Sequence, residues 1–307
     1  MTTSGSPSIL LVGAGVAGIS AALWLEDFRI SFDWVDSTGE VGGMLSRVNN
    51  SIENYPGGLF DNGPELADTM AAHLRKFDLW PRDAQVEHIE YNDGEVMGVV
   101  DGKQRHYELV ILATGTTYRR LGVPGEEEGQ GKWISQSAMA DAPRFANEHV
   151  AVVGGGDSGF ENARILAEAG CRVTMLLRSQ EFRARTDFVD AVRDNEHIAI
   201  APIPSRIERI EARDDGCRLF VDQQGSNVTV DVAALFVRIG VDPVLPGGCA
   251  GLDCDNSGFL LVDDQGWTSH RRVLAAGDIT SIPLRSVATS VGHGAVVART
   301  CATFLDI

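Results

Sequence analysis

Two copies of one strand–loop–helix pattern constrain the fold of this chain more than any other feature of its sequence. The apolar run 8–12 (SILLV) predicts a buried strand that leads into Gly13–Gly18 (GAGVAG) and a segment with helical periodicity. The run 148–153 (EHVAVV) leads in the same way into Gly154–Gly159 (GGGDSG) and a helix that ends at Gly170. The first glycine of such a motif permits a tight turn, the second lets the backbone approach a pyrophosphate, and the third lets helix and strand pack closely. The pattern therefore predicts an α/β fold with two dinucleotide sites.

The residue at the end of the next strand predicts which nucleotide each site prefers. In the first copy the strand SFDWV ends at Asp36, 18 residues after Gly18, and an acid there can hydrogen-bond a ribose hydroxyl. In the second copy the strand ends in 177–179 (LRS), where a cation favours the 2′-phosphate of NADPH over the free hydroxyl of NADH. Arg178, Arg183 and Arg185 are the candidates, so we predict NADPH, with NADH as the alternative. Two nucleotides in one chain indicate hydride transfer between a flavin and a nicotinamide.

Composition and charge exclude several classes of partner. The chain has 307 residues and a formal net charge of −17, which argues against nucleic acid and anionic membranes because phosphate binding needs a basic surface. It has no run of 18 apolar residues, and its first residues, MTTSGSPS, lack the basic and apolar regions of a signal peptide. We therefore expect a cytoplasmic protein with no membrane partner.

The five cysteines are not spaced as a redox or metal motif. No two of them are separated by two residues; they are Cys171, Cys217, Cys249, Cys254 and Cys301. Cys249 and Cys254 share one loop, which leaves a regulatory or metal role open, but the loop offers no further Cys or His as a zinc ligand. We predict reduced thiols and no metal site.

Further motifs follow in a recognisable order along the chain. After the acidic strand end come 42–45 (GGML), 52–57 (IENYPG), 109–115 (LVILATG), 121–128 (LGVPGEEE), 273–278 (VLAAGD) and 285–295 (RSVATSVGHGA). Together with the two glycine motifs, this order resembles the bacterial low-molecular-weight thioredoxin reductases over nearly the whole chain. The succession of LGVPGEEE, GGGDSG and EFRA makes the resemblance specific.

The resemblance implies two Rossmann-like, three-layer α/β domains, one inserted into the other. A discontinuous FAD domain would comprise residues 1–116 and 242–307, and an NAD(P) domain residues 117–241. The family also implies a homodimer and a helix that begins near Gly292 with its N-terminus toward the flavin. The motifs and the resemblance together assign to FAD the residues Gly13, Gly15, Ala17, Gly18, Asp36, Gly43, Met44, Leu45, Asn54, Ala113, Thr114, Gly115, Gly277, Asp278, Ser286 and Val287. They assign to NADP the residues Gly154, Gly156, Asp157, Ser158, Gly159, Glu161, Arg178 and Arg183.

The segment around Ser137 departs from the resemblance in a way that bears on the electron acceptor. Ser137 and Ala140 stand where the family has its redox Cys-x-x-Cys, and a serine cannot replace a thiolate in disulfide exchange. Asp141 matches the acid that follows the second cysteine, so it is a candidate proton donor to a substrate, or else a helix or turn cap. His293, in a Gly-His-Gly segment, is a candidate proton relay near the flavin, or a surface histidine.

These observations predict an FAD-dependent NAD(P)H oxidoreductase that passes electrons directly from the flavin to a small-molecule or protein acceptor. The acceptor could be a quinone, a small disulfide, oxygen or an electron-carrier protein. Four alternatives stay open: an FAD-dependent oxidase of a small metabolite, a ferredoxin- or flavodoxin-NADP reductase-like protein, a thioredoxin reductase that uses Cys249 and Cys254, and a non-catalytic nucleotide-binding sensor.

Overall fold

The computed structural model describes residues 8–307; residues 1–7, on which the expectation about a signal peptide largely rests, lie outside it. Within the described residues the helices are α1 (Val16–Asp27), α2 (Gly63–Arg75), α3 (Glu126–Gly129), α4 (Ala138–Asp141), α5 (Asp157–Glu168), α6 (Thr186–Arg193) and α7 (Val287–Phe304), with 3₁₀ turns at Gly43–Arg47, Ala142–Phe145, Cys249–Gly251 and Gly277–Ile279. The strands are β1 (Ile9–Val12), β2 (Phe32–Asp36), β3 (Arg82–Asp83), β4 (Val86–Tyr91), β5 (Val96–Val100), β6 (Lys103–Tyr107), β7 (Leu109–Leu112), β8 (Thr116–Tyr118), β9 (Ile134–Ser135), β10 (His149–Val153), β11 (Arg172–Leu176), β12 (Ile198–Ile200), β13 (Ser205–Arg213), β14 (Gly216–Gln223), β15 (Ser226–Val232), β16 (Ala234–Val237), β17 (Val241–Pro243) and β18 (Val273–Ala275).

The chain divides into two compact units. The first unit joins the residues up to Thr117 with Asp242–Ile307, and the second is Tyr118–Val241. The chain passes between the units along β8 and β17, which pair as a two-stranded sheet. The second unit is therefore an insertion in the first.

The first unit has three layers around a parallel sheet with strand order β18-β7-β1-β2-β3. Side chains of a strand alternate between the two faces of its sheet, so each face of β1 joins a different core. Ile9 and Leu11 pack with α1 and α7, whereas Leu10 and Val12 pack with the antiparallel sheet β4-β5-β6. Because both faces are buried, the strand reads as an uninterrupted apolar run.

The second unit repeats this architecture. Its parallel sheet has the strand order β12-β11-β10-β16-β9. Val150 and Val152 of β10 pack with Phe160 of α5, and Ala151 packs with Leu219 of the antiparallel sheet β13-β14-β15. The predicted fold class, two Rossmann-like three-layer domains with one inserted into the other, is confirmed.

The start of α7 corrects one expectation. The helix expected to begin near Gly292 begins at Val287, five residues earlier. Ser286 caps it: the Ser286 side chain accepts a hydrogen bond from the Thr289 amide, and the Thr289 side chain accepts one from the Ser286 amide. This capping box satisfies amides that a helix start otherwise leaves without partners, and it overrides the helix-breaking tendency of Gly292. Among residues 8–307, no helix is both long and apolar enough to span a membrane.

Candidate functional site

The loop between β1 and α1 is closed by contacts that only glycine permits. Gly13 has a φ of +102°, and a Cβ there would lie less than 3.0 Å from the Ala113 carbonyl. A Cβ at Gly18 would collide with the Gly13 carbonyl oxygen. At Gly15, by contrast, a Cβ would meet no atom of the described residues within 4 Å, its chain neighbours left aside. Packing within the protein therefore explains Gly13 and Gly18 but leaves open space beside Gly15.

Two further segments border this loop. The Gly42 amide donates to the Ala14 carbonyl at 2.8 Å, and a Cβ at Gly43 would lie 3.1 Å from the Gly15 Cα. The turn Gly43–Arg47, which contains Met44 and Leu45, therefore passes over the glycine motif. A Cβ at Gly277 would lie 2.7 Å from the Ala17 Cβ, so the Gly277–Asp278 segment packs on the first turn of α1. The structure thus brings most of the predicted FAD residues together around Gly15.

Asp36 closes the end of β2 against the same loop. Its carboxylate accepts a hydrogen bond from the Ala14 amide at 2.8 Å, and its other oxygen accepts from the Thr38 amide at 2.9 Å and hydroxyl at 2.7 Å. These bonds hold the carboxylate at the edge where a dinucleotide ribose lies in Rossmann-like domains. Neither α1 nor its glycine loop supplies a side-chain cap, so the helix N-terminus keeps its free N–H groups for an anion.

Asp278, Ser290 and His293 form a polar group at the start of α7. The buried Ser290 hydroxyl donates to the Asp278 carboxylate at 3.4 Å. Burial raises the pKa of Asp278, and this rise is opposed by Arg285, Ser290 and His293. Burial lowers the pKa of His293, although the Asp278 charge opposes the shift. The Gly277 amide donates to His293 Nδ1 at 3.4 Å, which leaves the proton of the neutral ring on Nε2.

The remaining predicted FAD residues differ in their surroundings. The Thr114 hydroxyl donates to the Val244 carbonyl at 2.5 Å, and the Val244 amide donates to the Gly115 carbonyl at 3.1 Å, so the segment after β7 is held by the returning chain. Val287 joins a small apolar cluster with Tyr55. Ala113 is buried under the glycine loop, and Asn54 is exposed in the loop beside Tyr55.

The loop between β10 and α5 repeats the stereochemistry of the first. Gly154 has a φ of +143°, and a Cβ there would collide with the Arg238 carbonyl oxygen. A Cβ at Gly159 would collide with the Gly154 carbonyl oxygen, whereas one at Gly156 would meet nothing within 4 Å among the described residues, its chain neighbours left aside. Gly156 is also the N-cap of α5 and gives it no side-chain cap. Open space beside a free helix N-terminus fits the pyrophosphate of a dinucleotide.

A cavity of about 660 Å³ lies over this second loop, within the second unit. It is within the usual range of ligand sites, roughly 300–1,000 Å³. Gly154, Gly156, Asp157 and Ser158 line it, together with Arg178 and Arg183. Asp157 does not point a free carboxylate at the ligand space, because it accepts a hydrogen bond from the Arg185 amide at 2.7 Å and pairs with the Arg185 side chain. Glu161 lies half-buried one turn into α5.

The segment with Ser137 and Ala140, which is predicted to lack the dithiol, is a capped helical turn. The Ser137 hydroxyl accepts a hydrogen bond from the Ala140 amide at 3.3 Å, so Ser137 is the N-cap of α4. The Asp141 carboxylate accepts from the Ser135 hydroxyl at 2.7 Å and from Arg144 at 2.9 Å. The Ala138 amide donates to the buried Asn162 side chain at 2.7 Å, which ties this turn to α5.

All five cysteines are free. Cys254 is exposed and the other four are buried. Burial raises the pKa of Cys249 to about 11, and burial together with Asp255 and Asp253 raises the pKa of Cys254. Both side chains are therefore thiols near neutral pH. Within residues 8–307, no group of three or more His, Cys, Asp or Glu side chains is arranged to hold a metal ion.

Sequence reasoning missed three site residues. Ser290 reaches Asp278 from one turn inside α7. Arg206, at the start of β13, and Arg238, after β16, line the cavity of the second unit. Arg238 stacks on the Tyr118 ring at 4.9 Å and donates to the Gln136 carbonyl at 2.7 Å. The two arginines lie far along the chain from the glycine motif, so local spacing offers no signal for them.

Residues 7–294 match the pyridine nucleotide-disulphide oxidoreductase family. The chain belongs to this family. It is 34% identical over 307 residues to a thioredoxin reductase of Mycolicibacterium smegmatis, with 97% of this chain and 94% of that protein covered. It is 31% identical over 302 residues to a thioredoxin reductase of Treponema pallidum (strain Nichols), with 97% of each chain covered. The crystal structure of Lactococcus lactis thioredoxin reductase superposes with a TM-score of 0.83 at 27% identity and covers 98% of this chain and 100% of that chain.

Membership of the pyridine nucleotide-disulphide oxidoreductase family confirms the predicted enzyme class, a flavin-dependent oxidoreductase of the thioredoxin reductase-like group. The family's domain binds FAD and NAD(P), and thioredoxin reductases use FAD and NADPH, which are the two cofactors predicted from the sequence. The two open spaces beside Gly15 and Gly156 fit two dinucleotides by the chain's own geometry.

Proposed function

We propose that this chain transfers electrons from NADPH to FAD, and from FAD directly to a non-dithiol acceptor. FAD, when bound, can accept a hydride from a nicotinamide and release electrons singly or in pairs. The observation that carries the proposal is the turn at Ser137. Its hydroxyl is engaged as the cap of α4, and no two cysteines of the chain are separated by two residues.

We assign FAD to the first unit. Gly15 leaves room for the pyrophosphate, the N-terminus of α1 presents N–H groups to it, and Asp36 reads the ribose. The segments that border Gly15, which contain Gly43 and Asp278, would hold the rest of the cofactor. The N-terminus of α7 would stabilise negative charge that develops on the flavin.

We assign NADPH to the cavity of the second unit. Gly156 and the N-terminus of α5 would take the pyrophosphate, and Arg178 with Arg183 would take the 2′-phosphate. Asp157 contributes indirectly, because it holds the segment that carries the arginines through the Arg185 amide. NADH would bind the same cavity without that phosphate contact.

The cysteine pair Cys249 and Cys254 is the rival route for electrons. A thiolate is the attacking species in disulfide exchange, and both of these groups have a raised pKa. Four of the five thiols are also buried. These facts favour direct electron transfer from the flavin to the acceptor rather than transfer through a dithiol at Cys249 and Cys254.

Two residues are proposed to handle protons. His293 is suited to a relay because Gly277 fixes its tautomer and burial keeps its ring neutral near pH 7. Asp141 stays a predicted proton donor, although Ser135 and Arg144 already occupy its two oxygens. The homodimer and the cytoplasmic location also stay predictions.

The test begins with the purified flavoprotein under anaerobic conditions. Mixing with NADPH or NADH should bleach the flavin absorbance, and a quinone or a redox dye should restore it. The rates should be unchanged in the Cys249→Ser, Cys254→Ser double variant, and thioredoxin should not be reduced. Thioredoxin reduction by the unaltered protein that disappears in the double variant would overturn the proposal. Absence of bleaching would favour the oxidase or the sensor.

A further inference from the structure

Three arginines of the second unit face one cavity without partners. Arg178, Arg183 and Arg206 line it, all three are exposed, and none of their guanidinium groups has a hydrogen bond or ion pair among the described residues. Arg185 and Arg209 nearby in the sequence are paired with acids, as expected for a chain whose formal net charge is −17. Like charges gathered without counter-charges repel one another, so such a cluster indicates a site for an anion.

The fold holds Arg206 next to the strand end that carries Arg178. The Ser205 amide donates to the Leu177 carbonyl at 2.7 Å, which fixes the first residue of β13 beside the residue before Arg178. Ser205 and Ile207 are buried and the Arg206 side chain between them is exposed, and all three residues line the cavity. This position does not depend on any contact of the guanidinium itself.

The acid opposite Arg206 does not neutralise it. Asp222 is its partner in the β13–β14 register, but the Asp222 carboxylate accepts from the Gly225 amide at 2.7 Å. Within the described residues, no ion pair of 4.0 Å or less joins Asp222 to Arg206. The guanidinium therefore remains available to a ligand.

We propose that Arg206 binds the 2′-phosphate of NADPH and, with Arg178 and Arg183, sets the preference for NADPH over NADH. The end of the second strand reads the 2′ position of the ribose in such domains, and Arg206 is tied to that strand end. A phosphate monoester carries nearly two negative charges and three acceptor oxygens, which suits several guanidinium groups. The assignment rests on the proposed nicotinamide site in this cavity.

The test compares two fragments of the cofactor by calorimetry on the flavin-containing protein. Adenosine 2′,5′-bisphosphate carries the 2′-phosphate and adenosine 5′-monophosphate lacks it. In Arg206→Gln the bisphosphate should bind about tenfold more weakly, while the monophosphate keeps its affinity. The matched control is Arg172→Gln, which removes an exposed arginine at the other end of β11 and should leave both affinities unchanged.

Several results would overturn the inference. Unchanged bisphosphate affinity in Arg206→Gln, an equal loss for both fragments, or the same loss in Arg172→Gln would each do so. If Arg206→Gln does not purify with full flavin, Arg206→Lys replaces it, because lysine keeps the positive charge but lacks the planar guanidinium group. The affinity of Arg206→Lys for the bisphosphate should fall a few-fold, and its affinity for the monophosphate should not change. NADH-driven dye reduction in the control Arg172→Gln should stay at the level of the unaltered protein. If the unaltered protein showed no NADH-driven dye reduction, that result would count against the proposed function but not against the role of Arg206.

Discussion

The two glycine loops share their stereochemistry and differ in what surrounds it. In both, the first glycine has a positive φ, the third would collide with the carbonyl of the first if it had a Cβ, and the middle one faces open space. At the end of the next strand the first unit has Asp36, held by the Ala14 amide and Thr38. The second unit has Arg178, which has no side-chain partner among the described residues. The glycine pattern thus allows a dinucleotide to approach the backbone, and the residue at the strand end indicates which dinucleotide binds.

A second difference lies in the first turn of each helix. The first turn of α1 contains no acid, whereas that of α5 contains Asp157. Asp157 is not a misplaced ligand, because its carboxylate accepts a hydrogen bond from the Arg185 amide and so holds the segment that carries Arg183. An acid close to a phosphate site is tolerable when its charge is already paired.

The largest effects are expected at the first loop, where substitution of the third glycine should impair folding and substitution of the middle glycine should impair flavin binding. Gly18→Val places side-chain atoms against the Gly13 carbonyl, so it should destabilise the fold by roughly 3 kcal/mol or more. The Cβ that Gly15→Val adds meets no atom of the described residues within 4 Å, its chain neighbours left aside, and the φ of −71° is permitted, so the variant should fold but purify without flavin. Chemical unfolding and the flavin-to-protein absorbance ratio measure the two outcomes. Full flavin in folded Gly15→Val would contradict the FAD assignment.

Substitution of the middle glycine of the second loop should weaken binding of the nicotinamide nucleotide without affecting binding of FAD. Gly156→Val fills the space assigned to the pyrophosphate of NADPH, so both NADPH and NADH should bind at least about tenfold more weakly. Its flavin content should equal that of the unaltered protein. Stopped-flow flavin reduction as a function of nucleotide concentration gives the affinities. Loss of flavin in this variant would mean that the two loops do not hold separate nucleotides.

The strand-end arginine tests the chemical difference between the loops. In the double variant Arg178→Gln, Arg183→Gln, NADPH should lose roughly 1.5–3 kcal/mol of binding free energy for each charge-assisted hydrogen bond removed. NADH lacks the phosphate and should bind almost as before. The comparison is again Arg172→Gln, at the first residue of β11, whereas Arg178 follows the end of that strand. Equal losses for the two nucleotides would show that these arginines do not read the 2′ position.

The smallest expected effect is the pH dependence that His293 contributes to stability. Burial lowers its pKa below the ordinary 6.5, so below that pH the unfolded chain binds a proton that the folded chain still refuses. The stability due to neutral His293 is therefore complete above about pH 6.5 and is lost as the pH falls through the folded pKa.

Unfolding curves at about pH 7.5 and about pH 5.5 should show a smaller loss in His293→Asn than in the unaltered protein. Replacement of the exposed His197 is the control and should leave the loss unchanged. A larger loss in His293→Asn would mean that the histidine is protonated in the folded state, which would remove the basis for a neutral relay.

The sequence alone determined the two domains and the positions of both glycine loops. The reason is that these features depend on local stereochemistry: a strand of unbroken apolar residues such as 8–12, a glycine such as Gly13 at a positive φ, and a helix that begins within the same motif. Asp36 and Arg178 were equally readable, since each stands at a strand end that the motif itself locates. The start of α7 was mislocated, although the Ser286-Val-Ala-Thr289 spacing carries a local capping signal.

Only the tertiary structure decided which distant residues complete each site. Ser290 meets Asp278 because the first turn of α7 lies against the Gly277–Ile279 turn. Arg206 lines the same cavity as Arg178 because the Ser205 amide donates a hydrogen bond to the Leu177 carbonyl, just after a strand of another sheet. Such contacts join segments through hydrogen bonds and packing that no spacing along the chain records. Periodicity reports which face of an element is buried, but not which element covers it, and that choice depends on the complementarity of whole surfaces.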